Sequence, residues 1–154
     1  MSLHELVFES ALIDPPQVVW ERATTVDGIL EELSPLATMT LPAGVSGLFD
    51  LHVELGKPIA RSWLLLFGVL PVDRTDLTLI ELEEGRRFLE ESPMLGMKLW
   101  RHERTVEETS GGSTVTDRLT FEPRLPGPLV PWFVRTLFQN RHRGLRRRHG
   151  AKLP

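Results

Sequence analysis

The chain has 154 residues, 41% of them hydrophobic and 25% charged, with a formal net charge of −3. That length suits one globular domain spanning residues 1–154, long enough to bury a core without staples. The absence of cysteine excludes disulfides, thiolate catalysis and Cys-bound metals. No apolar run approaches the ~18 residues of a membrane span, and the start, M-S-L-H-E-L-V-F-E-S, does not read as a secretory signal, so a cytoplasmic location is expected.

Leu3 to Ile13 has strand-type apolar content with imperfect alternation. Asp14 is placed to cap a helix that opens with Pro15-Pro16, where the missing N–H does no harm, and that carries Val18, Val19, Trp20 and Ala23. A second helical piece, T-V-D-G-I-L-E-E-L, sets Val26, Ile29, Leu30 and Leu33 at helical spacing and ends at Ser34-Pro35. Phe49, Leu51, Val53 and Leu55 alternate with polar neighbours, which predicts a half-buried strand, closed by a turn at Gly56-Lys57-Pro58.

The near-continuous apolar run from Arg61 to Leu70 predicts a central strand buried on both faces, with Trp63, Leu65 and Phe67 on one side. Pro71 to Asp76 reads as a loop, Leu77 to Leu82 as a strand, Glu83-Glu84-Gly85 as a turn and Arg86 to Glu91 as a short returning strand. Met97 begins a longer hairpin, M-K-L-W-R-H-E-R-T-V-E-E, which turns through T-S-G-G-S and returns as T-V-T-D-R-L-T-F-E-P. After R-L-P-G-P comes a long amphipathic helical pattern that must lay its apolar stripe on a sheet. Strands grouped together with helices segregated indicate an α+β fold with an antiparallel sheet.

The order of these elements, with the motifs P-P-Q-V-V-W, I-E-L-E-E-G-R-R-F, W-R-H-E-R-T-V…G-G-S-T-V-T-D-R-L-T-F-E-P and a final helix carrying Arg141 to Leu145, resembles the START-like superfamily, also called SRPBCC or polyketide cyclase/dehydrase-like. The resemblance covers essentially the whole chain. It implies a helix-grip fold: a curved antiparallel sheet of about seven strands around a long C-terminal helix, with two short helices after the first strand. It also implies a cavity for a hydrophobic or amphipathic small molecule such as a lipid, polyketide or aromatic compound, with no cofactor. A minority of members are cyclases or dehydratases, which keeps a cofactor-independent enzyme as the alternative.

Strand alternation sorts the hairpin side chains. Trp100, His102, Arg104 and Val106 share one face of the outgoing strand; Val115, Asp117, Leu119 and Phe121 share one face of the return. The opposite faces are polar, so these two sets face inward, and Asp117 lies opposite His102 or Arg104 depending on register. This cluster reads as a register-fixing ion pair, as the polar end of a pocket, or as a proton-transfer pair with His102 and Asp117 as candidate catalytic groups. The candidate ligand-binding set is Trp63, Leu65, Phe67, Trp100, His102, Arg104, Asp117, Leu119, Phe121, Val130, Phe133 and Leu137. Trp132 falls off the centre of the helical stripe, towards a rim, and Leu125-Pro126-Gly127-Pro128-Leu129 reads as a stiff connecting loop, with a gate to the interior as the alternative. The sequence leaves open whether that interior is a cavity or a filled core.

From Arg124 onward there are eight basic and no acidic residues, whereas residues 1–123 carry a net −11. Cations near a helix C-terminus complement its dipole, and no aromatic residue interleaves them beyond Phe138, unlike a nucleic-acid surface. The expected partner is a hydrophobic small molecule, not nucleic acid; homodimerisation is left open, and residues 146–154 are expected to form a basic, disordered tail. The five histidines show no metal-type clustering, and there is neither a phosphate loop nor a nucleophile elbow.

Overall fold

A computed structural model describes residues 3–41, 46–47 and 53–152. Its elements are β1 (His4–Leu12), α1 (Pro16–Ala23), α2 (Val26–Leu33), β2 (Ala37–Met39), β3 (Pro58–Leu66), β4 (Leu70–Glu83), β5 (Arg87–Glu91), β6 (Met97–Thr109), β7 (Gly112–Pro123) and α3 (Leu129–His149). The seven strands form one sheet in the order β1-β7-β6-β5-β4-β3-β2, antiparallel throughout. β1 closes on β7, so the first and last strands are neighbours, and α3 packs its apolar stripe on the inner face of the sheet. There Phe138 and Val134 meet Leu119, Phe121 and Met97. This is the α+β helix-grip arrangement expected from the sequence. No helix among the described residues is long and apolar enough to cross a membrane.

Local chemistry explains most boundaries. Gly111, with φ 78°, turns the long hairpin, and Thr25 caps α2 by accepting from the Gly28 N–H. Asp14 does not cap α1. Pro15 holds the N-cap position in extended conformation, one residue too late for Asp14 to reach the helix, and the Asp14 carboxylate instead receives His149 Nδ1 at 2.9 Å. The basic tail is not loose through residue 152. Residues 146–149 complete α3, Gly150 breaks it at φ 78°, and the chain returns to β1 through Ala151 against Leu12 and the Lys152 N–H on Ala11.

The Arg61–Leu70 run is the clearest correction. It is not one central strand, because the chain reverses at Phe67-Gly68, both with positive φ (52° and 78°), the backbone signature of a tight hairpin turn. Leu70 therefore opens β4, and Pro71–Asp76, expected as a loop, forms its first half. β3 lies one strand from the sheet edge, beside the three-residue β2, and Trp63 on its outer side is 41% exposed. β2 is too short for alternation to reveal. The expected Phe49–Leu55 strand falls largely on residues 48–52, outside the described residues; Val53 and Glu54 have no regular structure.

Candidate ligand-binding cavity

A cavity of about 610 Å³ lies between the sheet and the two helices α2 and α3, within the size range of small-molecule sites. Its walls are mainly aliphatic and aromatic: Leu77 and Leu79 from β4, Ile29 and Leu33 from α2, and Phe133 and Leu137 from α3. Val72, Leu125, Leu129 and Trp132 line it while remaining 45–62% exposed, so they mark its mouth.

The interior is therefore hollow at one end and solid at the other. Beyond Arg104 on β6, towards the Gly111 turn, Val106 and Val115 pack with Leu12, Val19, Trp20 and Leu145 into a filled core. On the mouth side of Arg104, Trp100 and Met97 line open space. A cluster of buried charges sits at the boundary and forms the floor of the cavity.

β6 and β7 set its register. Arg104 pairs directly with Asp117, and His102 with Leu119, so Asp117 is opposite the arginine and diagonal to the histidine. Arg104 donates Nε to Asp117 Oδ1 and Nη2 to Oδ2, both at 2.8 Å. Its Nη1 and Nη2 reach the two oxygens of Glu32, at 2.9 and 2.8 Å. Asp117 also accepts from His102 Nε2 at 2.6 Å and His142 Nε2 at 2.7 Å. Four donors fill the ~4 lone-pair sites of one carboxylate, so Asp117 has no acceptor left for a ligand.

The cluster extends outward through hydrogen-bonded chains. Arg146 donates to Ser10 Oγ at 2.9 Å, and the same hydroxyl is hydrogen-bonded to His142 Nδ1 at 2.8 Å. Arg141 adds Nε to Glu32 at 3.1 Å, with its guanidinium 4.7 Å over the Phe138 ring. On the cavity side, His102 Nδ1 lies 3.6 Å from Glu90, whose other oxygen receives Ser92 Oγ at 2.6 Å.

Burial alone would raise the Asp117 carboxyl, but the Arg104 and His102 charges outweigh it and hold Asp117 well below the usual carboxylate range. Glu32 behaves alike: burial pushes it up, and Arg104 and Arg141 bring it below its ordinary value. For His102 burial disfavours the proton, yet the attraction of Asp117 and the bonds to Asp117 and Glu90 raise the imidazole above its usual 6.5. The floor is thus an ionic network in which each positive group is matched by carboxylates.

Of the residues expected to bind ligand, Trp100, His102, Arg104, Val130, Phe133 and Leu137 line the cavity. Asp117, Leu119 and Phe121 face inward but are covered completely, at 0–1% exposure, by the cluster and by α3. Trp63, Leu65 and Phe67 do not line it, because the even-numbered positions of β3 face inward: Leu64 and Leu66 form that wall. Trp63 instead lies under Arg74 on the outside, 5.7 Å from the guanidinium carbon, and Phe67 is at the exposed turn. Sequence reasoning missed Glu32, Glu90 and Thr75. Glu32, with neighbours that read as solvent-facing, gave no sign of burial; Thr75 fell in the presumed loop.

The family model described as "Domain of unknown function (DUF8410)" matches residues 10–149. No curated protein matches the chain. Among solved structures, protein CV1439 from Chromobacterium violaceum superimposes with a TM-score of 0.71 at 13% identity, covering 96% of this chain and 99% of that one. Ginseng major latex-like protein 151 from Panax ginseng gives 0.62 at 14% identity with 99% of both chains covered. A START superfamily protein from Mycobacterium smegmatis gives 0.60 at 9% identity with 96% of both covered. At these identities the likeness establishes the START-like fold.

Proposed function

The chain belongs to the family described as "Domain of unknown function (DUF8410)", and we propose that it binds a hydrophobic or amphipathic small molecule between the sheet and α3, as a cytoplasmic carrier or sensor. The single observation that carries this reading is the 610 Å³ cavity itself. Its walls are mainly apolar, with Glu90, His102, Arg104 and Arg141 towards the floor and Asp73 and Arg124 at the mouth, so polar groups at both ends can orient an amphipathic ligand. An empty core of that size is otherwise destabilising.

The test is a titration with the fluorescent probe anilinonaphthalene sulfonate. Wild type should show saturable binding, and Leu77→Trp, which fills the cavity from the middle of β4, should bind roughly tenfold more weakly or worse. Absence of saturable binding to wild type, or unchanged binding by a folded Leu77→Trp, overturns the proposal.

One observation favours cyclase or dehydratase chemistry as a second reading: His102 lines the cavity and its Nδ1 is turned towards Glu90. In that reading His102 exchanges a proton with the ligand while Asp117 and Arg104, both buried, hold the ring in place. Turnover of an aromatic polyketide substrate that survives His102→Gln in a folded protein would remove it.

A further inference from the structure

Exposed apolar side chains gather at the cavity mouth, and Phe67, Val69 and Leu95 among them do not line the cavity. The β3–β4 turn, the β5–β6 connection, the end of β7 and the start of α3 all lie at the same end of the molecule, the end that carries the mouth. Large apolar residues stand exposed there on each connection: Phe67 at 66% and Val69 at 79% on the β3–β4 turn, Leu95 at 52% between β5 and β6, and Leu125, Leu129 and Trp132 at 54–62% around the start of α3. Isolated exposed apolar residues are ordinary, but such a concentration marks an interaction surface.

Two further features identify the partner. Leu129, Trp132 and Arg135 follow one another at three-residue spacing on the exposed side of α3, so the helix offers aliphatic, indole and guanidinium groups along one line. Arg124 and Arg135 have no carboxylate partner among the described residues. The acids nearby are engaged: Glu122 faces Lys98 at 3.9 Å, Glu91 holds Arg101, and Asp73 accepts the backbone N–H groups of Arg74 and Gly96. An apolar rim with uncommitted arginines and a tryptophan complements the anionic headgroup region of a bilayer.

Phe67 supplies an independent sign. It occupies the first central position of a turn in which both central residues have positive φ, where Asn, Asp or Gly is usual and an aromatic is unfavourable. The fold therefore holds an aromatic ring in a strained position with two thirds of its surface in solvent; the Phe67 backbone N–H meets the Leu36 carbonyl at 2.8 Å, a bond that does not use the ring.

We propose that the mouth end of the protein docks on an anionic lipid bilayer, with Phe67, Val69 and Trp132 entering the interface and Arg124 and Arg135 meeting lipid headgroups. The opening then faces the membrane, and a hydrophobic ligand passes between bilayer and cavity without crossing water. Docking rests on the exposed rim; only the passage of ligand depends on the binding reading proposed above.

The test is co-sedimentation of the full chain with vesicles of phosphatidylcholine, with and without phosphatidylglycerol, at low and high salt. Binding should require the anionic lipid and weaken as salt rises. Arg135→Gln should lower partitioning roughly fivefold, the effect of one cation near an anionic surface, and Phe67→Asn about tenfold. Neither residue lines the cavity, so both variants should titrate with anilinonaphthalene sulfonate like wild type in the absence of vesicles. Loss of probe binding by wild type with vesicle binding intact would leave docking standing and remove the cavity reading. Failure to bind anionic vesicles, or equal binding by wild type and both variants, overturns docking. So does concentration-dependent self-association abolished by Phe67→Asn, since the rim would then be covered by a second copy.

Discussion

Arg104 and Asp117 face each other across the β6–β7 ladder and share two hydrogen bonds of 2.8 Å, at 1% and 0% exposure. Glu32, His102 and His142 all hydrogen-bond to this pair. Removing one partner leaves a buried charge unmatched, which costs about 3–5 kcal/mol. Asp117→Asn and Arg104→Met are each expected to lower unfolding free energy by that order in urea titrations. The double variant should lose less than the sum, because the two substitutions remove the charges together. Additive losses would show that the pair is not coupled.

The same cluster sets a pH window. Asp117 and Glu32 have carboxyls held below their ordinary 3.8 and 4.5, so their contribution is fully present above those values and is lost as pH falls through the folded-state values. His102 is shifted upward from 6.5; its contribution is fully present below that value and is lost as pH rises through the folded-state value. Stability should therefore be greatest between about 4.5 and 6.5 and decline on both sides. His102→Gln should abolish the decline on the alkaline side while leaving the acid one, as read from urea midpoints across pH. An alkaline decline of unchanged size in His102→Gln would assign it elsewhere.

The long hairpin was legible because its residues alternate from Trp100 to Val106 and from Val115 to Phe121, and its turn contains Gly111. Inward placement of Trp100, His102, Arg104 and Asp117 follows from period two alone. The Arg61–Leu70 run misled for a physical reason: nearly every residue is apolar, so neither face nor boundary is marked, and the turn is made by Phe67-Gly68 instead of a polar pair. One misplaced turn moved Trp63 and Leu65 to the wrong wall and hid Thr75 in a loop. Glu32 was illegible in another way. A glutamate followed by Leu33 on an amphipathic helix looks solvated, and only the tertiary approach of β6 and α3 gives it Arg104 and Arg141.

That turn carries a stability prediction of its own. Phe67 has φ 52°, and a left-handed backbone costs a residue other than Gly, Asn or Asp about 1–2 kcal/mol. Asn tolerates the conformation, and Phe67 is 66% exposed and buries little. Phe67→Asn should raise the unfolding free energy by about 1 kcal/mol, measured by urea titration. A lower value would mean that the phenyl ring contributes packing that outweighs the strain.

Ser62 and Thr75 are cross-strand partners on β3 and β4, both nearly inaccessible, yet their hydroxyls fare differently. Ser62 Oγ donates to the Thr40 carbonyl at 2.5 Å, whereas Thr75 Oγ1 is buried with no partner among the described residues. A buried hydroxyl left unpaired costs about 1–3 kcal/mol, and replacing it by an apolar group of the same shape is neutral or stabilising. Thr75→Val should therefore leave unfolding free energy unchanged or raise it by up to about 1 kcal/mol, while Ser62→Ala should lower it by about 1 kcal/mol by stranding the Thr40 carbonyl. Thermal and urea unfolding of the two variants decide the point. If Thr75→Val destabilises as much as Ser62→Ala, the Thr75 hydroxyl is satisfied within the folded protein; if it does not, the hydroxyl is a buried polar group that the folded chain leaves unpaired.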